Sequence, residues 1–213
     1  MEIGTNLEHT IYNIFPCPIY RTKREPALLP KEEKEIKEIF DKGIYSNMYN
    51  SSTEDTYIFN SKLKNLKHFC EEHIKLYVNK IISPKNKLEF YITQSWLNIS
   101  KPGESHHSHS HPNSIISGAF YIATEETDEI TFSDPNFRVK EILALEQKEY
   151  NIWNSGTCSF SVNNNELVLF PSWLHHGVEA NEKATTNRIS LSFNTFIRGK
   201  IGDKKLLTEL ILK

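Results

Sequence analysis

Apolar residues recur at helical spacing between Pro30 and Ile82, whereas from Leu88 to Ile197 they alternate or gather in short blocks, as strands do. Pro30 suits a first helical turn, acidic residues follow it, and Ile36, Ile39 and Phe40 repeat on one face, predicting a helix from Pro30 to Lys42. A second helix is expected from a cap at Asn60 or Ser61 through about Ile82. Its stripe runs through Leu63, Leu66, Phe69, Cys70, Ile74, Tyr77, Val78 and Ile81. Ahead of both, residues 10–22 (TIYNIFPCPIYRT) suggest two short strands interrupted by Pro16 and Pro18, which suits only a sheet edge or lead-in.

Leu88–Ser100 alternates, with Phe90, Ile92, Gln94, Trp96 and Asn98 on one face. Further strands are expected at Ile115–Thr124, Glu129–Ser133, Val139–Leu145, Thr157–Val162, Glu166–Phe170, Gly177–Ala180 and Arg188–Ile197, separated by turn-rich pieces such as Asn163–Asn165. Lys204–Leu212 has the spacing of one amphipathic helix. Two helices followed by about eight closely spaced strands argue for an α+β chain, mainly β, whose core is a sandwich or barrel. At 213 residues a single domain is expected. Residues 1–87 would support the barrel, 88–198 would form it, and 199–213 would be a tail.

Composition narrows the function classes more than it names one. A net charge of −2 with neutral histidine gives no indication of nucleic acid. The N-terminus lacks a basic region followed by an apolar run, and no apolar stretch approaches the ~20 residues that span a bilayer. Cys17, Cys70 and Cys158 are odd in number and far apart, which fits a reducing, cytoplasmic setting better than a disulfide framework. With only 8 glycines there is no phosphate-cradling loop, and no GxSxG elbow is present. The N-terminal strand, if exposed, could pair across a homodimer.

The chemistry concentrates in the histidines. His106, His107, His109 and His111 crowd one short segment, and His175 and His176 follow the apolar run Glu166–Phe170. On a strand, residues two apart share a side, so His109 and His111 could reach one ion. Of the second pair, His176 is the better third ligand, with His175 turned outward. Arg188 and Ser190 project together from the last strand and make a fork for a carboxylate. Trp96, Trp153 and Trp173 are candidates for the entrance.

HSHPNSIISGAFYI, ITFSDP, LVLFPSWLHHGVEAN and RISLSFN, in that order after an early FPCPIY, resemble a group of 2-oxoglutarate/Fe(II)-dependent oxygenases found in bacteria and tailed phages. The resemblance spans roughly residues 14 to 197. It implies a double-stranded β-helix (jelly-roll) core with the two helices packed outside, and a hydroxylase that uses Fe(II) with 2-oxoglutarate as co-substrate. His109, His111 and His176 match the metal ligands, and Arg188, helped by Ser190, matches the partner of the co-substrate's distal carboxylate. Tyr121, Asn98 and Asn194 are weaker candidates for the co-substrate pocket. The usual triad is HxD or HxE with a distal His, and here His111 stands in the carboxylate position. Glu104 or Asp134 could supply a carboxylate instead. A cupin-type three-histidine metalloenzyme that does not use 2-oxoglutarate, and a non-enzymatic jelly-roll, are the alternatives. The substrate, peptidyl or small-molecule, is not legible.

Overall fold

In the computed structural model, which describes residues 10–136 and 145–213, two antiparallel sheets face one another and two helices pack on the outside of the larger. With strands numbered in chain order, the large sheet runs β1 (Tyr20–Lys23), β9 (Glu166–Pro171), β6 (Ile116–Ala123), β11 (Arg188–Ile201), β4 (Glu89–Ser100), β3 (Ser51–Thr53), β2 (Ile44–Ser46), and β12 (Leu210–Leu212) pairs with the end of β11. The small sheet runs β5 (His106–His109), β10 (His176–Val178), β7 (Glu129–Ser133), β8 (Thr157–Ser161). From β4 to β11 the chain crosses repeatedly between the sheets. The architecture is a double-stranded β-helix.

Strand alternation divides the interior into two apolar layers. Phe120 of β6 and Leu167 and Leu169 of β9 face the helices, where they join Leu66, Cys70 and Ile74. Their neighbours Ala119, Tyr121, Val168 and Phe170 face inward and meet Ile130 and Phe132 of the small sheet. β6, β9 and β11 are therefore buried on both sides, and the small sheet on one.

The first helix, α1, spans Pro30–Lys42, the range its spacing predicts. Its first turn is anchored by a buried ion pair, Arg24 Nη1 to Glu32 Oε2 at 2.8 Å and Nη2 to Oε1 at 3.0 Å, while Glu32 Oε2 also accepts the Leu29 N–H at 2.9 Å. The second helix departs from expectation at its start. Ile58–Asn60 forms a 3-10 turn, and α2 proper runs Lys64–Tyr77 before one π turn, Val78–Ile82. Ile58, Phe59 and Leu63 are buried, and the Phe59 N–H donates to Ser95 Oγ (2.9 Å), so core contacts hold the chain off the helical path there.

Two other expectations are corrected. Residues 10–19 form no strand, and the prolines leave only Tyr20–Lys23 to pair, at the edge against β9. Lys204–Leu212 is not a helix. Asp203 Oδ1 accepts the Lys205 N–H (2.7 Å), Leu207 takes a positive φ of 57°, and the chain returns to pair Leu210–Leu212 with Gly199–Ile201. Leu206, Leu207, Leu210 and Ile211 are exposed, so no surface is available for an apolar helix face to bury. Most of the strand expected at Val139–Leu145 lies outside the described residues.

Removing one partner of a buried ion pair strands the other charge. Glu32→Ala should therefore cost about 3 kcal/mol, enough to lower the melting temperature by roughly 6–12 °C. Urea denaturation checks this, and a loss below about 1 kcal/mol would show that solvent reaches Arg24.

Candidate metal centre

The small sheet brings two of the three central histidines together. β10 pairs with β5 so that His176 lies opposite His109, with ring centroids 4.5 Å apart. His111 is not on the strand: β5 ends at His109, and the loop after it is held by the His111 N–H donating to the Ser172 carbonyl (2.9 Å). The same-side placement predicted from strand alternation is thus achieved by a loop tied to the end of β9. The result is compact. One ligand nitrogen from each of His109, His111 and His176 lies within 4.8 Å of the others, the one such group among the described residues. Glu104 and Asp134 are not part of it.

Gly177 makes the close strand approach possible. A Cβ there would sit 2.8 Å from the His106 carbonyl oxygen and 3.2 Å from the Ser108 nitrogen, both backbone atoms. His176 is buried and its neighbour His175 exposed, as expected of the pair.

The imidazoles are set up as neutral ligands. Burial pushes the His176 pKa down to about 3 and that of His111 to about 4, and holds His109 below its ordinary value, so all three are unprotonated near neutrality. His109 Nδ1 lies 2.8 Å from the His107 carbonyl and His176 Nδ1 lies 3.1 Å from the Leu174 carbonyl. A carbonyl can only accept, so both Nδ1 atoms carry the proton and both Nε2 lone pairs are free. This donor set fits a first-row divalent metal.

The histidines line a cleft whose far wall is the inner face of β4, β6 and β11. Arg188 and Ser190 both line it, as the alternation of β11 predicts. Arg188 is 8% exposed, lies 5.1 Å from the Tyr121 ring centroid and donates from Nη1 to the Glu129 carbonyl (2.7 Å). No carboxylate among the described residues pairs with it. A buried guanidinium whose partners are neutral is a strong anion site.

The remaining candidates divide. Tyr121 and Asn98 line the cleft, but the Asn98 amide is largely committed, accepting from Ser52 Oγ (2.8 Å) and Trp96 Nε1 (3.2 Å) and donating to Ser192 Oγ (3.0 Å). Asn194 does not line it. Its Oδ1 accepts from Ser117 Oγ (2.8 Å), whose oxygen is also bonded to Ser172 Oγ (2.8 Å). Of the tryptophans, Trp96 lines the cleft, whereas Trp153 and Trp173 are exposed elsewhere. The sequence reading missed Asn50 and His106, which also line it. His106 belonged to the conspicuous cluster, whereas nothing in NMYNSST marks Asn50.

Residues 94–194 match a family model described as "Putative 2OG-Fe(II) oxygenase". The matched segment carries the three histidines and Arg188. The match indicates an Fe(II)- and 2-oxoglutarate-dependent oxygenase, an oxidoreductase. Solved structures agree in fold. A prolyl hydroxylase from Trichoplax adhaerens, in complex with a hypoxia-inducible-factor peptide fragment, superposes with a TM-score of 0.57 at 10% identity, covering 84% of this chain and 83% of the other. HygX from Streptomyces hygroscopicus, with nickel, 2-oxoglutarate and hygromycin B bound, gives 0.55 at 7% identity, covering 84% and 82%. A Pseudomonas putida prolyl-4-hydroxylase gives 0.52 at 12% identity, covering 84% and 92%. No curated protein matches in sequence. No helix among the described residues is long and apolar enough to cross a membrane.

Gly177→Ala should force β10 away from β5 and widen the gap between His176 and His109 without altering a ligand. We expect affinity of the metal-free 2OG-Fe(II) oxygenase for zinc(II), by competition titration, to fall on the order of 10-fold with the circular dichroism spectrum retained. Unchanged affinity would mean that the ligand spacing does not depend on that contact.

Proposed function

We propose that His109, His111 and His176 together hold the catalytic Fe(II), and that Arg188 and Ser190 bind the distal carboxylate of 2-oxoglutarate. What carries this reading is one cleft with three converging neutral imidazoles on one wall and a buried, carboxylate-free arginine on the other. Three protein ligands would leave the ion open to its co-substrates. Bound there, Fe(II) and 2-oxoglutarate supply the oxidising chemistry: dioxygen is consumed, the co-substrate is decarboxylated to succinate and CO2, and one oxygen atom enters a substrate C–H bond.

The chain's own part is placement. Carbonyl contacts at His107 and Leu174 fix two imidazoles in the tautomer that presents Nε2. Arg188 is held at Glu129 and across the Tyr121 ring, so its remaining N–H groups are pre-oriented before an anion arrives. Phe170 and Ile130 pack the cleft's inner end and keep bulk water from the reacting centre. Tyr121, whose hydroxyl pKa is raised by burial, stays protonated beside Arg188 and can donate to the same carboxylate. Asn98 acts by orienting its neighbours. Three free cysteines, two of them exposed, support a cytoplasmic setting.

The test is anaerobic titration of metal-free protein with Fe(II) and then 2-oxoglutarate, followed through the visible absorption of the chelate. Wild type should develop the band. Arg188→Met should keep Fe(II) but lose roughly 30-fold or more in 2-oxoglutarate affinity, about 2 kcal/mol for a truncated buried charge pair. His176→Ala should lose both. Fe(II) binding with no band in the wild type would instead favour a three-histidine metalloenzyme of the cupin type.

A further inference from the structure

Asn50 offers a hydrogen bond that nothing among the described residues takes. The residue is 3% exposed, it lines the cleft, and its side-chain nitrogen has no partner among the described residues. A buried amide donor left unpaired is costly, and its orientation here is fixed by a chain of bonds that begins at an indole. Trp96 Nε1–H can only donate, so the end of Asn98 that faces it (3.2 Å) is Oδ1. Ser52 Oγ, 2.8 Å from that same oxygen, must then donate its one proton to it. Ser52 Oγ is left to accept from Asn47, at 2.9 Å, so the Asn47 atom facing it is Nδ2. That nitrogen also meets Asn50 at 3.1 Å and requires an acceptor, Oδ1. The NH2 of Asn50 is thereby the end that is left over. Flipping any amide in the series would set two donors or two acceptors against each other.

We propose that Asn50 Nδ2 donates to a neutral carbonyl oxygen of the primary substrate. This rests on the oxygenase reading above. Ser52 pairs with Asn98, which pairs with Ser190, so β3 lies two strands, roughly 10 Å, from β11. Arg188 leans the other way, over Tyr121 and toward Glu129. The co-substrate anchor and Asn50 thus mark opposite sides of the cleft. Around Asn50 the wall is Trp96, Asn98, Ser100 and Ser192, all neutral, and the charged side chain of the same cleft, Arg188, stands on β11 beyond β4. A donor without a charge, beside an aromatic ring, suits an amide or ketone oxygen.

The test uses the full chain, uniformly labelled with 15N and loaded with zinc(II), with and without 2-oxoglutarate, and N-methylacetamide as the neutral carbonyl probe. The Asn50 side-chain amide signal, assigned by its absence in Asn50→Asp, should shift on titration, together with the Trp96 indole signal. Asn50→Asp keeps the oxygen that accepts from Asn47 and replaces the donor NH2 by an acceptor oxygen, so the indole response to the carbonyl probe should disappear while the rest of the spectrum is retained. In parallel, Asn50→Ala should leave 2-oxoglutarate affinity with Fe(II) within about threefold of wild type, since a lost co-substrate hydrogen bond would cost more. A tenfold or greater loss would assign the amide to 2-oxoglutarate and overturn the proposal. So would a probe that leaves the Asn50 signal unmoved, which would mean that the donor is satisfied by water alone. A wild type that fails to bind 2-oxoglutarate would sink the oxygenase reading, while the probe response without it still reports on Asn50.

Discussion

The arrangement at the barrel mouth depends on how closely β10 can approach β5. That distance is set by Gly177, because a Cβ at this position would meet the backbone of His106 and Ser108. With the strands so close, His176 sits opposite His109, and carbonyls of their own flanking segments are within reach of the ring nitrogens. The contact at Gly177 therefore governs the spacing of two imidazoles, while carbonyls two residues back on each segment set their tautomers. His111 is brought in by a separate device, its bond to the Ser172 carbonyl at the end of β9. The histidine cluster joins the small sheet to a loop tied to the end of β9, so it exists only once the barrel has closed.

Charge follows from the same packing. Burial keeps the histidines neutral, and replacing a carboxylate by His111 leaves the centre one unit more positive once a divalent ion is bound. Arg188 on the opposite wall is a fixed cation, with no carboxylate partner among the described residues. On the proposed assignment, a dianion with a carboxylate at each end would meet a cationic partner at each end. The extra positive charge that would make a three-histidine site more hospitable to zinc, copper or nickel would also strengthen its hold on 2-oxoglutarate.

Most of this was legible where the chain is regular. β11 alternates through Arg188, Ser190 and Ser192, so a guanidinium and hydroxyls sharing one wall could be read directly from spacing. The pairing of an exposed His175 with a buried His176 follows from the same period. Legibility failed where non-local contacts override local preference. Buried Phe59 and Leu63 delay α2, and Asp203 folds the tail into a hairpin that its leucine spacing disguised as a helix. His111 joins the cluster by a route that strand spacing does not show, since it lies past the end of β5. Asn50 carried no signal at all, because its importance lies in what its neighbours leave unpaired, and that is a property of the assembled hydrogen-bond network.

The division between shared chemistry and individual substrate falls at a definite place in the chain. The proposed ligands His109, His111 and His176, and Arg188, all lie within residues 94–194, the segment that matches the family. Asn47, Asn50 and Ser52 lie before it, on the β2–β3 hairpin that extends the large sheet past β4. The two parts communicate through Trp96 and Asn98 on β4, which are inside the matched segment and orient the amides outside it. Changing the hairpin would alter which acceptor the cleft prefers without moving a metal ligand or the co-substrate anchor. Selectivity is therefore placed on an edge hairpin, where sequence can vary at little cost to the barrel, while the oxidising centre stays in its core.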